Sequence, residues 1–181
     1  MLFALLILGA FVVTLRTTRG GTATVGEACL VLHRERADGV HPQLQQLLDV
    51  WSREGTHNIV IAGGTVRGVR YVGGLRTQAD QDEAAEHGLT KAPALVDTAH
   101  GRGAALDVWP EGFDPSRGFT TQPEAHAQAL AFLDFAERYG FDTGRNYAMV
   151  APDGTRGDLV HVQLPNWRML PFPPPNYGGA S

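Results

Sequence analysis

The chain has 181 residues, of which 43% are hydrophobic, a net charge of −4 and a single cysteine. This length allows one domain with a hydrophobic core and is short for two. Since the arginines are scattered and the net charge is negative, we expect no nucleic-acid partner. Cys29, being alone, excludes both an intrachain disulfide and a CxxC-type metal site.

The chain opens with a hydrophobic segment. Residues 2–15 are apolar except for Gly9 and Thr14, and Arg16 and Arg19 follow them. This pattern predicts a membrane anchor or signal-like segment over residues 1–16, although an ordinary membrane span needs about 20 residues. The alternative is a hydrophobic helix packed within a larger assembly such as a phage virion. We therefore expect a protein of the cell envelope or periplasm, membrane-associated or exported, or a virion component.

Composition divides the rest of the chain. Residues 17–27 are rich in Gly, Thr and Ala and are predicted to be a linker. The folded domain is expected over residues 28–165. The tail, residues 166–181, contains too many prolines for a helix or a central strand. We expect it to run as an extended strap across a surface, with a polyproline docking peptide as the alternative.

Three segments carry helical signals. Over residues 41–54, apolar side chains recur with helical spacing between Pro42 and Gly55, which predicts an amphipathic helix. The same pattern over residues 122–139 predicts a second helix. Thr77 can cap a third helix that ends near residue 87, so that Arg76 lies in a loop just before a helix start.

Four segments are predicted to be strands. Residues 58–62 form a β-branched run that ends at Gly63 and Gly64, where a loop is expected. Residues 103–109 follow a glycine-rich turn and alternate between two faces. Residues 146–151 and 159–164 flank the turn sequence PDGTRG and are predicted to pair as a hairpin.

An imidazole and a carboxylate, His100 and Asp107, lie seven positions apart across a glycine-bearing turn. On a continuous strand this odd spacing would put them on opposite faces, so the turn is what lets them converge. Both are good ligands for a borderline divalent ion such as zinc, and His161 is the candidate third ligand. Three protein ligands leave a fourth position for water, which is the layout of a catalytic zinc site.

Two further residues complete this hypothesis. Asp158, three residues before His161, would take a proton from the activated water and hand it to a leaving amine. On an ideal strand it would face away from His161, so it must lie in the bend that starts the strand. Arg76 would hold an oxyanion or a substrate carboxylate.

Each of these residues also has a structural explanation. Asp107 could cap a turn, His161 could be a hydrogen-bonded core histidine, and Asp158 could be an ordinary turn residue after PDGTRG. The spacing of His100 and Asp107 is not diagnostic of a metal site by itself.

The order of the features over about residues 39–165 resembles the M15 peptidases, especially their L-alanyl-D-glutamate endopeptidase branch. The shared motifs are His-Pro at a helix start, Gly-x-Arg-Thr with a following Gln, Thr-x-His-x-x-Gly-x-Ala-x-Asp, Gly-Phe after a helix, and Asp-x-x-His-x-Gln. In this chain they are His41-Pro42; Gly74, Arg76, Thr77 and Gln81; Thr98, His100, Gly103, Ala105 and Asp107; Gly140-Phe141; and Asp158, His161 and Gln163. The chain departs from the pattern at Val162, where an aromatic residue is usual, and at Val160, where proline is common.

The resemblance implies an α+β fold of the Hedgehog/DD-peptidase type, with a small antiparallel sheet and helices packed on one face. It implies hydrolysis of peptidoglycan stem peptides with one zinc ion, and the aspartate at the base position favours the endopeptidase branch. The alternatives are a D-Ala-D-Ala carboxypeptidase, or a non-catalytic structural or virion protein that keeps the fold. The implied roles are metal binding by His100, Asp107 and His161, base catalysis by Asp158, and substrate binding by Arg76, Thr98 and Gln81.

Overall fold

The computed structural model of the protein describes residues 28–66, 68–88, 90, 92 and 94–177. Its helices and strands follow in the order β1 (Val31–Leu32), α1 (Pro42–Glu54), β2 (Ile59–Ile61), β3 (Gly63–Val66), β4 (Val69–Val72), α2 (Gln78–Glu86), β5 (Ala105–Pro110), α3 (Pro123–Arg138), β6 (Asp142–Thr143) and β7 (His161–Gln163). The predicted anchor and linker, residues 1–27, lie outside the described residues. No helix in the described part of the chain is long and apolar enough to span a membrane.

Five strands form one sheet in the order β1-β2-β5-β7-β6. All neighbours are antiparallel except β1 and β2, which are parallel. In the centre, Leu106 pairs with Val162 and Asp107 pairs with His161. Because side chains alternate between the faces of a sheet, the two apolar residues share one face and the two polar residues share the other. This arrangement confirms the predicted α+β class with a small, mainly antiparallel sheet.

Helices α1 and α3 supply most of the hydrophobic core and pack on the apolar face of the sheet. Helix α1 begins as predicted, since the His41 side chain caps it by accepting a hydrogen bond from the Gln43 N–H (3.3 Å). Trp51 of α1 meets Phe132 and Phe135 of α3 edge-on, with ring centroids 5.0 and 4.9 Å apart. The helices predicted over residues 41–54 and 122–139 are therefore confirmed, and they leave the opposite face of the sheet for the polar residues.

Strands β3 and β4 form a separate antiparallel hairpin. The prediction of a loop at Gly63 and Gly64 is wrong, because these residues begin β3 and pair with Val72 and Tyr71. Glycine has a poor intrinsic strand propensity, so tertiary pairing decides the conformation here. Helix α2 follows, and its predicted cap is present, with Thr77 and Asp80 forming a reciprocal capping box.

The predicted hairpin of residues 146–151 with 159–164 is also wrong. The residues just before the PDGTRG turn pair with residues inside it: the Ala151 N–H donates to Thr155 O (2.8 Å), and the Gly157 N–H donates to Met149 O (2.9 Å). Pairing therefore ends before residue 158. Strand β7 instead pairs with β5 on one side and with β6 on the other.

The C-terminal residues 166–177 run back along the domain. Trp167 is buried in a second, smaller apolar cluster formed with Ala99, Ala104, Ala105 and Leu164. Tyr177 meets His41 edge-on, with ring centroids 5.2 Å apart. The tail thus packs against the segment that carries His100.

Candidate metal centre

The turn that carries His100 is built by glycines and one hydroxyl. Gly103 has a left-handed backbone (φ 63°), and a Cβ on Gly101 would lie 2.2 Å from Leu95 O. The Thr98 hydroxyl donates to Leu95 O (2.8 Å) and accepts from the Gly101 N–H (2.9 Å). The chain therefore turns sharply between His100 and β5. As predicted, the turn brings His100 and Asp107 together, with His100 Nε2 3.2 Å from Asp107 Oδ1.

His161 reaches the same point from β7. Its Nδ1 is 3.0 Å from Asp107 Oδ1 and 3.3 Å from His100 Nε2. All three side chains are buried, with residue exposures of 4% for His100, 2% for Asp107 and 7% for His161. Their possible ligand atoms lie within 4.8 Å of one another. The structure thus brings together the three residues that the sequence predicted as metal ligands.

Hydrogen bonds on the outer side of each imidazole determine which nitrogen faces inward. His100 Nδ1–H donates to the Gly74 carbonyl (2.9 Å), and His161 Nε2–H donates to Gln163 Oε1 (3.0 Å). His100 Nε2 and His161 Nδ1 are thereby directed at Asp107 Oδ1. Metal-binding histidines usually have this kind of outer partner, which orients the ring and selects the tautomer.

The three inward atoms are all acceptors and need a shared positive charge. Burial by itself raises the pKa of Asp107, but the adjacent His100 and His161 outweigh it and bring that pKa well below its usual range. Burial lowers the pKa of His100. For His161, burial by itself lowers the pKa, but the hydrogen bond to Asp107 and the negative charges of Asp107 and Asp158 together exceed this effect, so the pKa of His161 is raised. A proton on His161 or a divalent cation can supply the charge.

This donor set suits zinc. Two imidazole nitrogens and one carboxylate oxygen are borderline ligands, and three protein ligands leave one tetrahedral position open. The buried position and the outer hydrogen bonds are further features of a built metal site.

Arg76 lies behind Asp107. Its Nη2 donates to Asp107 Oδ2 (3.0 Å) and its Nε donates to the Val72 carbonyl (2.9 Å). The guanidinium is therefore hydrogen-bonded to Oδ2, the carboxylate oxygen other than the one that contacts the imidazoles. In this position Arg76 orients Asp107, a role that the sequence hypothesis of substrate binding did not include.

Sequence reasoning missed Tyr71, which packs beside Asp107. Burial raises the pKa of Tyr71 well above its usual value, and the charge of Asp107 adds to the rise, so the phenol stays protonated. Its ring lies 5.4 Å from that of Trp109, and the Arg76 guanidinium is 6.0 Å from its centroid. Tyr71 lies on β4. Because a loop was predicted from Gly63 and Gly64 onward, this strand was not expected.

Asp158 lies in the bend before β7, as the hypothesis required. The His161 N–H donates to Asp158 O (3.3 Å), which turns the chain between the two residues. The Asp158 N–H donates to Gly144 O (2.7 Å), and a Cβ on Gly144 would lie 2.3 Å from Asp158 O. Only glycine at position 144 leaves room for this approach.

The electrostatic environment of Asp158 favours its protonated form. Burial, followed by the negative charge of Asp107, raises the pKa of Asp158 from 3.8 to about 6. A carboxyl whose pKa lies close to neutrality is suited to exchange protons during a reaction.

This shift predicts a pH-dependent difference in stability. In the metal-free protein, the raised pKa of Asp158 stabilises the fold fully below its unfolded pKa of 3.8, and this contribution is lost as the pH rises through about 6. Asp158→Asn imitates the protonated carboxyl. We therefore expect the variant to match wild type near pH ~4 and to be more stable by about 3 kcal/mol near pH ~7.

Urea unfolding of both metal-free proteins across this range measures the difference. The acidic end serves as the internal control. If wild type and Asp158→Asn have the same free energy of unfolding at both the acidic and the neutral pH, the pKa of Asp158 is not raised by burial.

Two of the residues implied in substrate binding have internal partners. Gln81 is fully buried, and its Nε2 donates to Thr90 Oγ1 (3.1 Å) and to the Ala92 carbonyl. The Thr98 hydroxyl is engaged in the His100 turn. Both side chains therefore stabilise loops through internal hydrogen bonds. These hydrogen bonds do not favour the substrate-binding role that the resemblance implied.

Comparison with known proteins finds a structural likeness but no sequence match. No family model matches the sequence, and a search of curated proteins returns no match. The structure is similar to the crystal structure of the Serratia marcescens L-Ala D-Glu endopeptidase ChiX, with a TM-score of 0.51, 22% sequence identity, and coverage of 80% of this chain and 95% of that chain. At this identity the likeness shows a related fold.

Proposed function

We propose that this protein is a zinc-dependent peptidoglycan peptide hydrolase of the M15 type that cleaves the bond between L-Ala and D-Glu. The observation that carries the proposal is the buried group of His100, Asp107 and His161, with Asp158 in the bend beside it. The fold similarity to an L-Ala D-Glu endopeptidase supports it. Peptidoglycan stem peptides are then the substrate.

His100, Asp107 and His161 would hold the zinc ion through Nε2, a carboxylate oxygen and Nδ1. Zinc, when bound, supplies Lewis-acid activation of water and of the peptide carbonyl. The outer partners keep the ligands in place: Gly74 and Gln163 orient the imidazoles, and Arg76 holds the carboxylate.

Asp158 carries the proton in this proposal. Its carboxylate accepts a proton from the attacking water and delivers it to the nitrogen of the leaving amine. An aspartate is shorter than a glutamate and must approach the water closely. The tight contact between the Asp158 backbone and Gly144 holds this segment in position.

We further propose that the protein works at the bacterial cell envelope, either as a phage protein or as a protein of the bacterium itself. This rests on the apolar composition of residues 2–15, which lie outside the described residues. Fractionation of cells that express the full chain tests it, and recovery of the intact chain only in the soluble cytosolic fraction would contradict it.

Mass analysis of the products from defined muropeptides tests the function. Full-length protein with equimolar zinc is expected to release fragments that end at L-Ala and begin at D-Glu. Release of a terminal D-Ala instead would identify a carboxypeptidase. Equimolar zinc binding without any product would identify a non-catalytic protein that keeps the fold. Cleavage that persists in excess chelator would contradict the metal mechanism.

A further inference from the structure

One aromatic side chain lies where the candidate metal centre meets solvent. The ring of Tyr147 is 5.5 Å from the ring of His161, at an angle of 45°. Whereas His161 is only 7% exposed, Tyr147 is 37% exposed. Met149 and Val150 continue this exposed apolar edge, at 41% and 65%. A molecule that approaches His161 from this side must pass along Tyr147.

The backbone holds Tyr147 and Asp158 to the same anchor. The Tyr147 N–H donates to Gly144 O (3.0 Å), and the Asp158 N–H donates to the same carbonyl (2.7 Å). The backbones of Tyr147 and Asp158 are therefore held at the same point, although the PDGTRG turn separates the two residues in the chain. This shared anchor makes Tyr147 part of the site geometry.

The hydroxyl of Tyr147 is available as a donor. It makes no hydrogen bond with the part of the chain that the structure describes, whereas the Tyr139 hydroxyl donates to Glu54 Oε2 (2.9 Å). A phenol has an ordinary pKa of about 10 and therefore carries its proton at neutral pH.

We infer that Tyr147 contacts the bound peptide and donates a hydrogen bond to one of its oxygen atoms on the solvent side of His161. This rests on the proposed function, because the peptide is the substrate proposed above. The ring and the neighbouring Met149 and Val150 then form the apolar wall along which the peptide lies.

Kinetics of Tyr147→Phe give the first test, since this change removes only the hydroxyl. We expect kcat/KM on a defined muropeptide to fall by roughly 3- to 10-fold, the usual effect of one neutral hydrogen bond. Zinc affinity, measured by competition with a chromophoric chelator, is expected to stay unchanged, which a structural role in the site would not allow. Tyr139→Phe is the matched control because Tyr139 lies at the end of α3, on the far side of the sheet. Equal kcat/KM in wild type and Tyr147→Phe would overturn the inference.

Binding without turnover gives the second test. The chain has four tyrosines, so their ring carbons can be labelled with 13C and assigned with Tyr→Phe variants of the full-length protein. A disaccharide-tetrapeptide muropeptide added to the metal-free protein is expected to shift the Tyr147 signal and to leave Tyr139 in place. An unmoved Tyr147 signal, together with turnover by wild type, overturns this inference alone. A shifted Tyr147 signal without turnover by the zinc-loaded protein overturns the hydrolase proposal alone.

Discussion

Replacing His161 with alanine is expected to remove both zinc binding and hydrolysis. His161 Nδ1 is one of only three inward ligand atoms in the group, 3.0 Å from Asp107 Oδ1. Loss of an outer hydrogen bond to a ligand typically costs roughly 10- to 100-fold in metal affinity, and loss of the ligand itself costs more. We therefore expect zinc to raise the melting temperature of wild type and to leave that of His161→Ala unchanged, because only a ligand that binds the folded state stabilises it.

Two further variants separate ligand loss from misfolding. Gln163→Met removes the acceptor of the His161 Nε2–H but keeps the ligand, so zinc affinity is expected to fall by roughly 10- to 100-fold. His87→Ala removes an exposed histidine at the end of α2 and should behave as wild type. Competition with a chelator measures the zinc affinity of all three variants. Stoichiometric zinc binding by His161→Ala with wild-type affinity would exclude the assigned ligand set.

Replacing Asp158 is expected to stop turnover while zinc binding persists. A general base contributes typically about 100- to 10,000-fold, so Asp158→Ala and Asp158→Asn should both lose activity by amounts in this range. The asparagine variant keeps the shape of the side chain but cannot accept a proton. Muropeptide turnover and zinc affinity, measured on the same preparations, separate the two effects.

The acid limb of the wild-type pH profile provides an independent measurement. The base must be ionised, so activity is lost as the pH falls through the pKa of Asp158, which is about 6 without metal. A bound cation favours the carboxylate and lowers this pKa, so the limb lies at or below about pH 6. Asp142→Asn removes an exposed carboxylate on the adjacent β6 and serves as the control. Wild-type turnover by Asp158→Asn would rule out its role as the base.

Much of the framework was predictable because its signals are local. The spacing of apolar residues in α1 and α3, Pro42 in the first turn of α1 and the cap at Thr77 act within one or two turns of chain. The choice of His100, Asp107 and His161 also came from residue type, since few other side chains bind borderline metals. The bend at Asp158 followed from the alternation of strand side chains. The helices and the bend needed only neighbouring residues and elementary chemistry, whereas the metal-binding set also rested on the order of motifs over residues 39–165, because the spacing of His100 and Asp107 is not diagnostic by itself.

The sequence by itself therefore determined the helices and, through the order of its motifs, the fold class and the three residues that meet at the candidate centre. Only the tertiary structure decided what surrounds them. Strand β6, and not residues 146–151, pairs with β7 on its outer side, and Arg76 donates to Asp107. Tyr71 comes to the site from the unpredicted β3–β4 hairpin, and Tyr147 comes from residues 146–151, which were predicted to be a strand. The physical reason is that these contacts join residues far apart in the chain, and their free energy depends on packing that local propensity does not encode.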